Sequence, residues 1–240
     1  MDRVKRQRRG ASASGFHFVA LFNNCKRKFF IRHRLGLTPL WTKRELCFGA
    51  AFHDAKAVFY LSPLLRAKET ALQEILDSLQ AKAGEYGNPE ELDKDLRRGP
   101  ILLERWIEEW GFQDRKIYKI VAVEQELEGL LPNGFRVTGR LDTLIQDSQG
   151  LYYILETKTS SFSITLTLRN LEMGDQPTTY LWLVKKAYPK LRVSGLIPDI
   201  AYWNKEARSP SNIKCFRGDI VTRSEQDLKD FELYTMDSLE

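Results

Sequence analysis

A chain of 240 residues, 42% hydrophobic and 29% charged, is long enough for one well-buried domain and less suited to two compact ones. No apolar run is long enough to span a bilayer, and the basic N-terminus lacks the apolar segment of a secretory signal. Cys25, Cys47 and Cys215 stand too far apart for a disulfide framework or a four-thiolate metal site, which fits a reducing, cytoplasmic setting.

The net charge of +5 conceals an asymmetry. Residues 1–44 carry 12 Lys/Arg against one acid, Asp2, so the rest of the chain is net acidic. A basic end on an acidic body suits a phosphate backbone, and a solubilising tail is the plainer reading of Arg3 to Arg9. Residues 1–14 read as a disordered basic tail and 15–240 as one domain.

From Phe16 to Leu35 apolar residues recur at helical spacing. Phe22, Cys25 and Phe29 share a face, while Lys26, Arg27, Lys28, Arg32 and Arg34 crowd the others. Thr38-Pro39 ends this element. A second helix is expected from about Glu45 to Leu61, stopped by Ser62-Pro63. Residues 63–112 read as a helical insertion, punctuated at Gly87-Asn88-Pro89 and at Gly99-Pro100. Asn88, Pro89 and Glu91 suit an N-cap, a first-turn proline and a capping-box acid.

The pattern then changes to short β-branched and aromatic runs at 117–127, 135–145 and 151–158, separated by Pro132-Asn133-Gly134 and Asp147-Ser148-Gln149-Gly150. This predicts an antiparallel meander. Asp175 is expected to cap a helix reaching about Ala187, with Pro177 in its first turn. Strands near 193–203 and 212–221 and a helix after the Ser224 cap complete an α/β domain with a central mixed sheet flanked by helices.

Asp142 and Glu156 lie at similar distances on either side of the turn at Ser148 and Gln149. Antiparallel pairing therefore places them roughly opposite, with Lys158 on the same face as Glu156. Tyr153-Ile154-Leu155 makes this a central strand, where two adjacent ionised carboxylates repel unless a cation intervenes. A hard divalent ion, Mg²⁺ or Mn²⁺, suits these oxygens, and the backbone carbonyl of Thr157 can add another. Such a site suits metal-assisted phosphodiester hydrolysis, with Lys158 holding water and stabilising negative charge. A salt-bridge cluster on an exposed hairpin face is the alternative.

Gly139-Arg140-Leu141-Asp142 followed by Ile154-Leu155-Glu156-Thr157-Lys158 resembles the signature of the PD-(D/E)XK nuclease superfamily. Leu141 stands where the superfamily name has proline. The resemblance is to the RecB-like branch, because Gln176-Pro177-Thr178-Thr179-Tyr180 matches its Q-x-x-x-Y motif. Gly49-Ala50-Ala51-Phe52-His53 is similar to the branch's G-x-x-x-H motif, and Cys25 to Phe30 with Leu35-Gly36-Leu37 to its opening motif. The resemblance implies a restriction-endonuclease-like core and places His53 in the metal shell with Asp142, Glu156 and Thr157.

It also places Gln176 and Tyr180 on the face that lines the active site. Read alone, His53 lies off the stripe of Phe48, Phe52, Ala55 and Phe59 and is an ordinary surface histidine. Gln176 and Tyr180 read alone are an exposed Gln beside a half-buried Tyr. Glu124, at a position often acidic in the branch, equally fits an outward-facing polar residue. Lys26, Arg27, Lys28, Arg32, Arg140 and Ser160 are the expected nucleic-acid contacts, although the Lys26 run also fits a solvated helix face. Many RecB-like exonucleases hold an iron–sulfur cluster with one early and three late cysteines. Only Cys25 matches, so no cluster is expected.

The function implied is a nuclease acting on DNA, single-stranded or with free ends, of exonuclease or flap type. A helicase or recombination partner is compatible with it, a membrane is not, and the setting is the cytoplasm of a bacterial or virus-infected cell. The competing reading is a nucleic-acid-binding or assembly protein that keeps the fold without catalysis.

Overall fold

A computed structural model describes residues 16–204 and 212–238, so the expected disordered tail at 1–14 lies outside the described residues. Phe16–Asn24 (α1) and Lys26–Phe29 (α2) are separated at Cys25, which is extended (φ −160°, ψ 95°) and accepts the Lys28 N–H on Sγ. The single helix expected over 16–35 is therefore interrupted. A π turn, Phe30–Arg34, follows α2. The helix Arg44–Leu61 (α3) buries Phe48, Phe52, Ala55 and Phe59, the stripe read from the sequence.

Ala67–Ala81 (α4), Pro89–Trp106 (α5) and Phe112–Ile117 (α6) form the helical region before the sheet. Asn88 caps α5 by accepting the Glu90 N–H at 2.9 Å. The break expected at Gly99-Pro100 does not occur, because α5 continues through Pro100. A proline inside a helix forfeits one backbone hydrogen bond. Packing offsets that loss: Gly99 lies so close to α4 that an added Cβ would stand 3.1 Å from Ile75 Cδ1.

The sheet has five strands in the order β1 (Lys119–Leu130), β2 (Arg136–Gln146), β3 (Tyr152–Ser160), β4 (Val193–Trp203) and β5 (Ile213–Arg217). The first three form the expected antiparallel meander, β4 runs parallel to β3, and β5 is antiparallel to β4. Both tight turns use a glycine at positive φ, Gly134 at 80° and Gly150 at 78°. The strand expected at 212–221 ends at Arg217, and Val221 only bridges to Leu196.

The parallel step from β3 to β4 needs a crossover, made by Ile164–Met173 (α7) and Asp175–Ala187 (α8). α7 is not among the elements expected from the sequence. Asp175, expected as a cap, is the first helical residue, and Gly174 holds the extended cap position. Ser224 caps Glu225–Asp237 (α9) in a reciprocal capping box with Asp227.

Two cores flank the sheet. One packs α3, α4 and α5 against Leu155 and Ala201, and the other packs α8 against Leu144, Ile154 and Leu196. Along β3 the alternation is regular, with Ile154 toward α8 and Leu155 toward α3. Along β2 it is not. Leu144 faces the α8 core, yet so do Leu141 and Val137, so the pleat changes phase by one residue across Asp142. Gly139 belongs to the same stretch. A Cβ there would lie 2.6 Å from Leu183 Cδ1 and 3.1 Å from Tyr180 Cε1, so α8 sits directly on the backbone.

Gly139→Ala is expected to cost about 1–3 kcal/mol by overpacking against buried Leu183. Urea denaturation measures this; a variant as stable as the parent would show that α8 does not depend on this approach.

Candidate active site

The β2–β3 ladder runs from Gln146↔Tyr152 to Thr143↔Leu155. One step further, where Asp142 would face Glu156, the Thr157 N–H donates to Asp142 Oδ2 at 2.7 Å. A side-chain carboxylate thus takes a backbone donor of the neighbouring strand, and both acids stand at the point where the ladder ends. Glu156 keeps the phase of Ile154 and turns toward α8, where its Oε1 accepts from Gln176 Nε2 at 2.8 Å and Lys158 Nζ at 2.7 Å. Its Oε2 is buried and has no hydrogen-bond partner among the described residues.

On the other side, α3 delivers His53. Its Nδ1 lies 3.2 Å from Asp142 Oδ1 and 3.3 Å from Glu124 Oε1. His53, Glu124 and Asp142 each present a ligand atom, and these atoms lie within 4.8 Å of one another. Glu124 has φ 50°, a left-handed conformation that costs a non-glycine residue about 1–3 kcal/mol. The strain falls in the row of Asp142, between the ladder pairs Val123↔Thr143 and Gln125↔Leu141. Both strands are therefore irregular at the acids.

The charges shape one another. Burial first, and then the Asp142 charge, push the Glu156 carboxyl up to about 7 despite Lys158. Burial also works against ionised Asp142, but His53, Lys158 and the Thr157 N–H outweigh it and hold its carboxyl below the usual range. For His53 burial opposes the positive form; Asp142 and Glu124 prevail and raise the imidazole to about 9. Lys158 is likewise raised, burial being overcome by Glu156 and Asp142. Tyr180 accepts from Gln176 Nε2 at 3.1 Å, and burial beside Glu156 lifts its phenol well above its ordinary value.

A divalent cation fits this donor set on three grounds: the clustered ligand atoms, the unpartnered Glu156 Oε2, and the proton that Glu156 retains near neutrality without a cation. The cluster that could hold an ion differs from the set expected from the sequence. Glu124 stands with His53 and Asp142, while Glu156 points partly toward Lys158 and Gln176. The same counting that paired Asp142 with Glu156 would have found Glu124, which lies nine residues before Asn133 as Asp142 lies nine after it.

The expected nucleic-acid contacts do not gather into one group. Lys26, Arg27, Lys28 and Arg32 are exposed around α2, and Lys26 Nζ lies 5.4 Å from the Phe22 ring centroid. Arg140 reaches Glu124 Oε2 at 3.3 Å and so stands at the rim of the acidic cluster. Ser160 accepts from Thr167 Oγ1 at 3.1 Å at the end of β3. Sequence reasoning missed two groups beneath the site, Lys56 and Asp199, both buried.

A mixed five-stranded sheet between helical layers, with acids where its central strands part, is the restriction-endonuclease-like α/β fold. The profile of the PD-(D/E)XK nuclease superfamily matches residues 17–237, and the chain belongs to that superfamily, whose nucleases use divalent metals. Among solved structures the chain is similar to SSO0001, at 14% identity and TM-score 0.36 over 92% of this chain and 87% of that one. It is also similar to the alkaline exonuclease LHK-Exo of Laribacter hongkongensis, at 15% identity and TM-score 0.30 over 81% and 90%. The dAMP complex of that enzyme gives 16% identity and TM-score 0.29 over the same shares. None of the curated proteins matches the chain.

The raised values of His53 and Glu156 set a pH dependence. Each holds its proton more tightly in the folded chain than at its ordinary 6.5 or 4.5, so the stability it lends is complete below that ordinary value. It is lost as pH rises through about 7 for Glu156 and about 9 for His53. A metal competes with both protons. Mn²⁺ affinity is therefore expected to rise between pH 6 and 9 with net proton release, read by calorimetry in buffers of different ionisation heat. An affinity independent of pH would remove His53 and Glu156 from the ligand set.

Proposed function

We propose that the chain is a Mg²⁺- or Mn²⁺-dependent deoxyribonuclease of the RecB-like branch, acting on single-stranded DNA or free ends as an exonuclease or flap-type enzyme. The observations that carry this reading are the buried Glu156 Oε2, unpartnered among the described residues, and the ligand atoms of His53, Glu124 and Asp142 within 4.8 Å of one another. Asp142, Glu156, His53 and the Thr157 carbonyl would hold the ion, and Glu124 adds a carboxylate to the set read from the sequence. When bound, a divalent ion supplies Lewis acidity, lowering the pKa of water and neutralising charge on the phosphate.

The chain's own groups do the rest. Lys158 remains an ammonium, spends one N–H on Glu156 at 2.7 Å, and directs its other donors to the attacking water or a phosphate oxygen. Gln176 donates to both Glu156 Oε1 and the Tyr180 hydroxyl, which fixes that end of the carboxylate and leaves Oε2 without a partner among the described residues. Tyr180 retains its own proton and serves as a neutral donor. Arg140, at the rim and paired with Glu124, is placed to meet a phosphate. The exposed cations around α2 follow the backbone without reading bases, in keeping with a nuclease that lacks sequence preference.

Glu156→Ala and Lys158→Ala are each expected to lower Mg²⁺-supported cleavage by about a thousandfold or more while leaving DNA affinity within a few-fold. End-labelled single-stranded, duplex, flapped and circular DNA, digested with Mg²⁺ and with Mn²⁺, provide the assay. Cleavage of the closed circle would replace the exonuclease reading with an endonuclease. Undiminished cleavage by either variant would overturn the mechanism.

A further inference from the structure

Beneath the acids, on the α3 side of the sheet, lies a second charged group that the cleavage chemistry does not use. Lys56, one helical turn after His53, is 3% exposed. Its Nζ donates to Asp199 Oδ2 at 2.6 Å and to the hydroxyl of Thr157, and lies 4.2 Å from the Trp106 ring centroid. Asp199 is fully buried and also accepts from Trp106 Nε1 at 2.9 Å. Arg217 Nε stands 3.5 Å from Asp199 and its guanidinium pairs with both oxygens of Asp114, which in turn accepts from Tyr60 at 2.6 Å.

The register gives this network its direction. Thr157 on β3, Asp199 on β4 and Arg217 on β5 are Cα partners in a single row across the sheet. Thr157 lies between Glu156 and Lys158, and its N–H is the donor that fixes Asp142. Its hydroxyl points the opposite way from Glu156, to Lys56. One small cavity is lined by Lys56 together with His53, Glu124, Asp142 and Thr157. Burying an ion pair is expensive, and apolar residues of similar volume usually fill such a place at no loss of stability. An ammonium at this point does one thing that a methionine cannot. It holds the Thr157 hydroxyl in a single orientation and so restrains the peptide on which Asp142 is fastened.

We infer that Lys56 and Asp199 form a positioning pair for the metal site, in which Lys56, oriented by Asp199, locks Thr157 from below and thereby sets the Asp142 carboxylate and the Thr157 carbonyl. This rests on the metal-site reading above. Outer partners of metal ligands typically govern affinity by about 10–100-fold.

The test is Mn²⁺ binding by calorimetry on the full chain without DNA, beside the Mn²⁺ dependence of cleavage. Thr157→Val, which removes only the hydroxyl, and the charge-neutral double variant Lys56→Met/Asp199→Asn are expected to weaken Mn²⁺ binding by about 10–100-fold. The kcat of Lys56→Met/Asp199→Asn at saturating Mn²⁺ should stay within a few-fold of the parent, so that its defect appears in metal dependence. Tyr60→Phe, at the far end of the same network, should lower Tm yet leave Mn²⁺ affinity unchanged. Parental Mn²⁺ affinity in folded Thr157→Val overturns the positioning role, as does an equal loss in Tyr60→Phe. A parent chain that binds no Mn²⁺ overturns this inference and the metal-site reading together, whereas normal parental binding with unaffected variants overturns this inference alone.

Discussion

Asp142 accepts the Thr157 N–H at the point where the β2–β3 ladder stops, and the arrangement of the site follows from that bond. It consumes one carboxylate oxygen of Asp142, leaves the other facing His53, and ties β2 to β3 without closing the sheet over the acids. Glu156 is thereby free to turn toward α8 while its neighbour Thr157 turns toward α3. Buried carboxylates at such proximity cannot all remain ionised without compensation. The chain compensates incompletely: Lys158 and His53 supply positive charge, yet Glu156 still holds a proton near neutrality and keeps one oxygen unpartnered.

Backbone irregularity and chemistry coincide. Glu124 adopts a left-handed conformation, and the pleat of β2 slips by one residue at Asp142 in the same row. In a regular sheet these two acids would point wholly to one face. The slip lets them turn to His53 on α3 while Glu156 keeps its contacts with Gln176 on α8. The site is thus assembled from both helical layers through the sheet, and α3 and α8 are held close by Gly49, 3.4 Å from Thr159 Oγ1 through an added Cβ, and by Gly139. Strain of this kind persists only where packing on both sides over-determines it.

Much of the fold was legible from one-dimensional patterns. The meander, the α3 stripe, the Asn88 and Ser224 caps and the span of α8 follow from periodicity and turn residues, because those signals are local. The misreadings have identifiable causes. Pro100 reads as a break, but packing of Gly99 on Ile75 and Leu79 keeps α5 continuous. Ile164, Leu166 and Leu168 alternate with polar residues as in a strand, which masks the helical α7 that starts at the Ser163 cap and serves the crossover joining parallel β3 and β4. Strand alternation from Val123 points Glu124 outward, and only its left-handed backbone redirects it.

The amino-acid sequence by itself determined the chemical kind of site: two acids and a lysine spaced to converge across a hairpin, with Gln176 and Tyr180 one turn apart on the following helix. Spacing suffices there because hairpin register and helical pitch are fixed by backbone geometry. The tertiary structure decided which groups share one point. It drew His53 from off its helix's apolar stripe to Asp142, recruited Glu124 through a strained backbone, and set the buried Lys56–Asp199 pair beneath Thr157. Those contacts join residues up to 143 positions apart, and such distances are closed only by packing, for which no local pattern carries a signal.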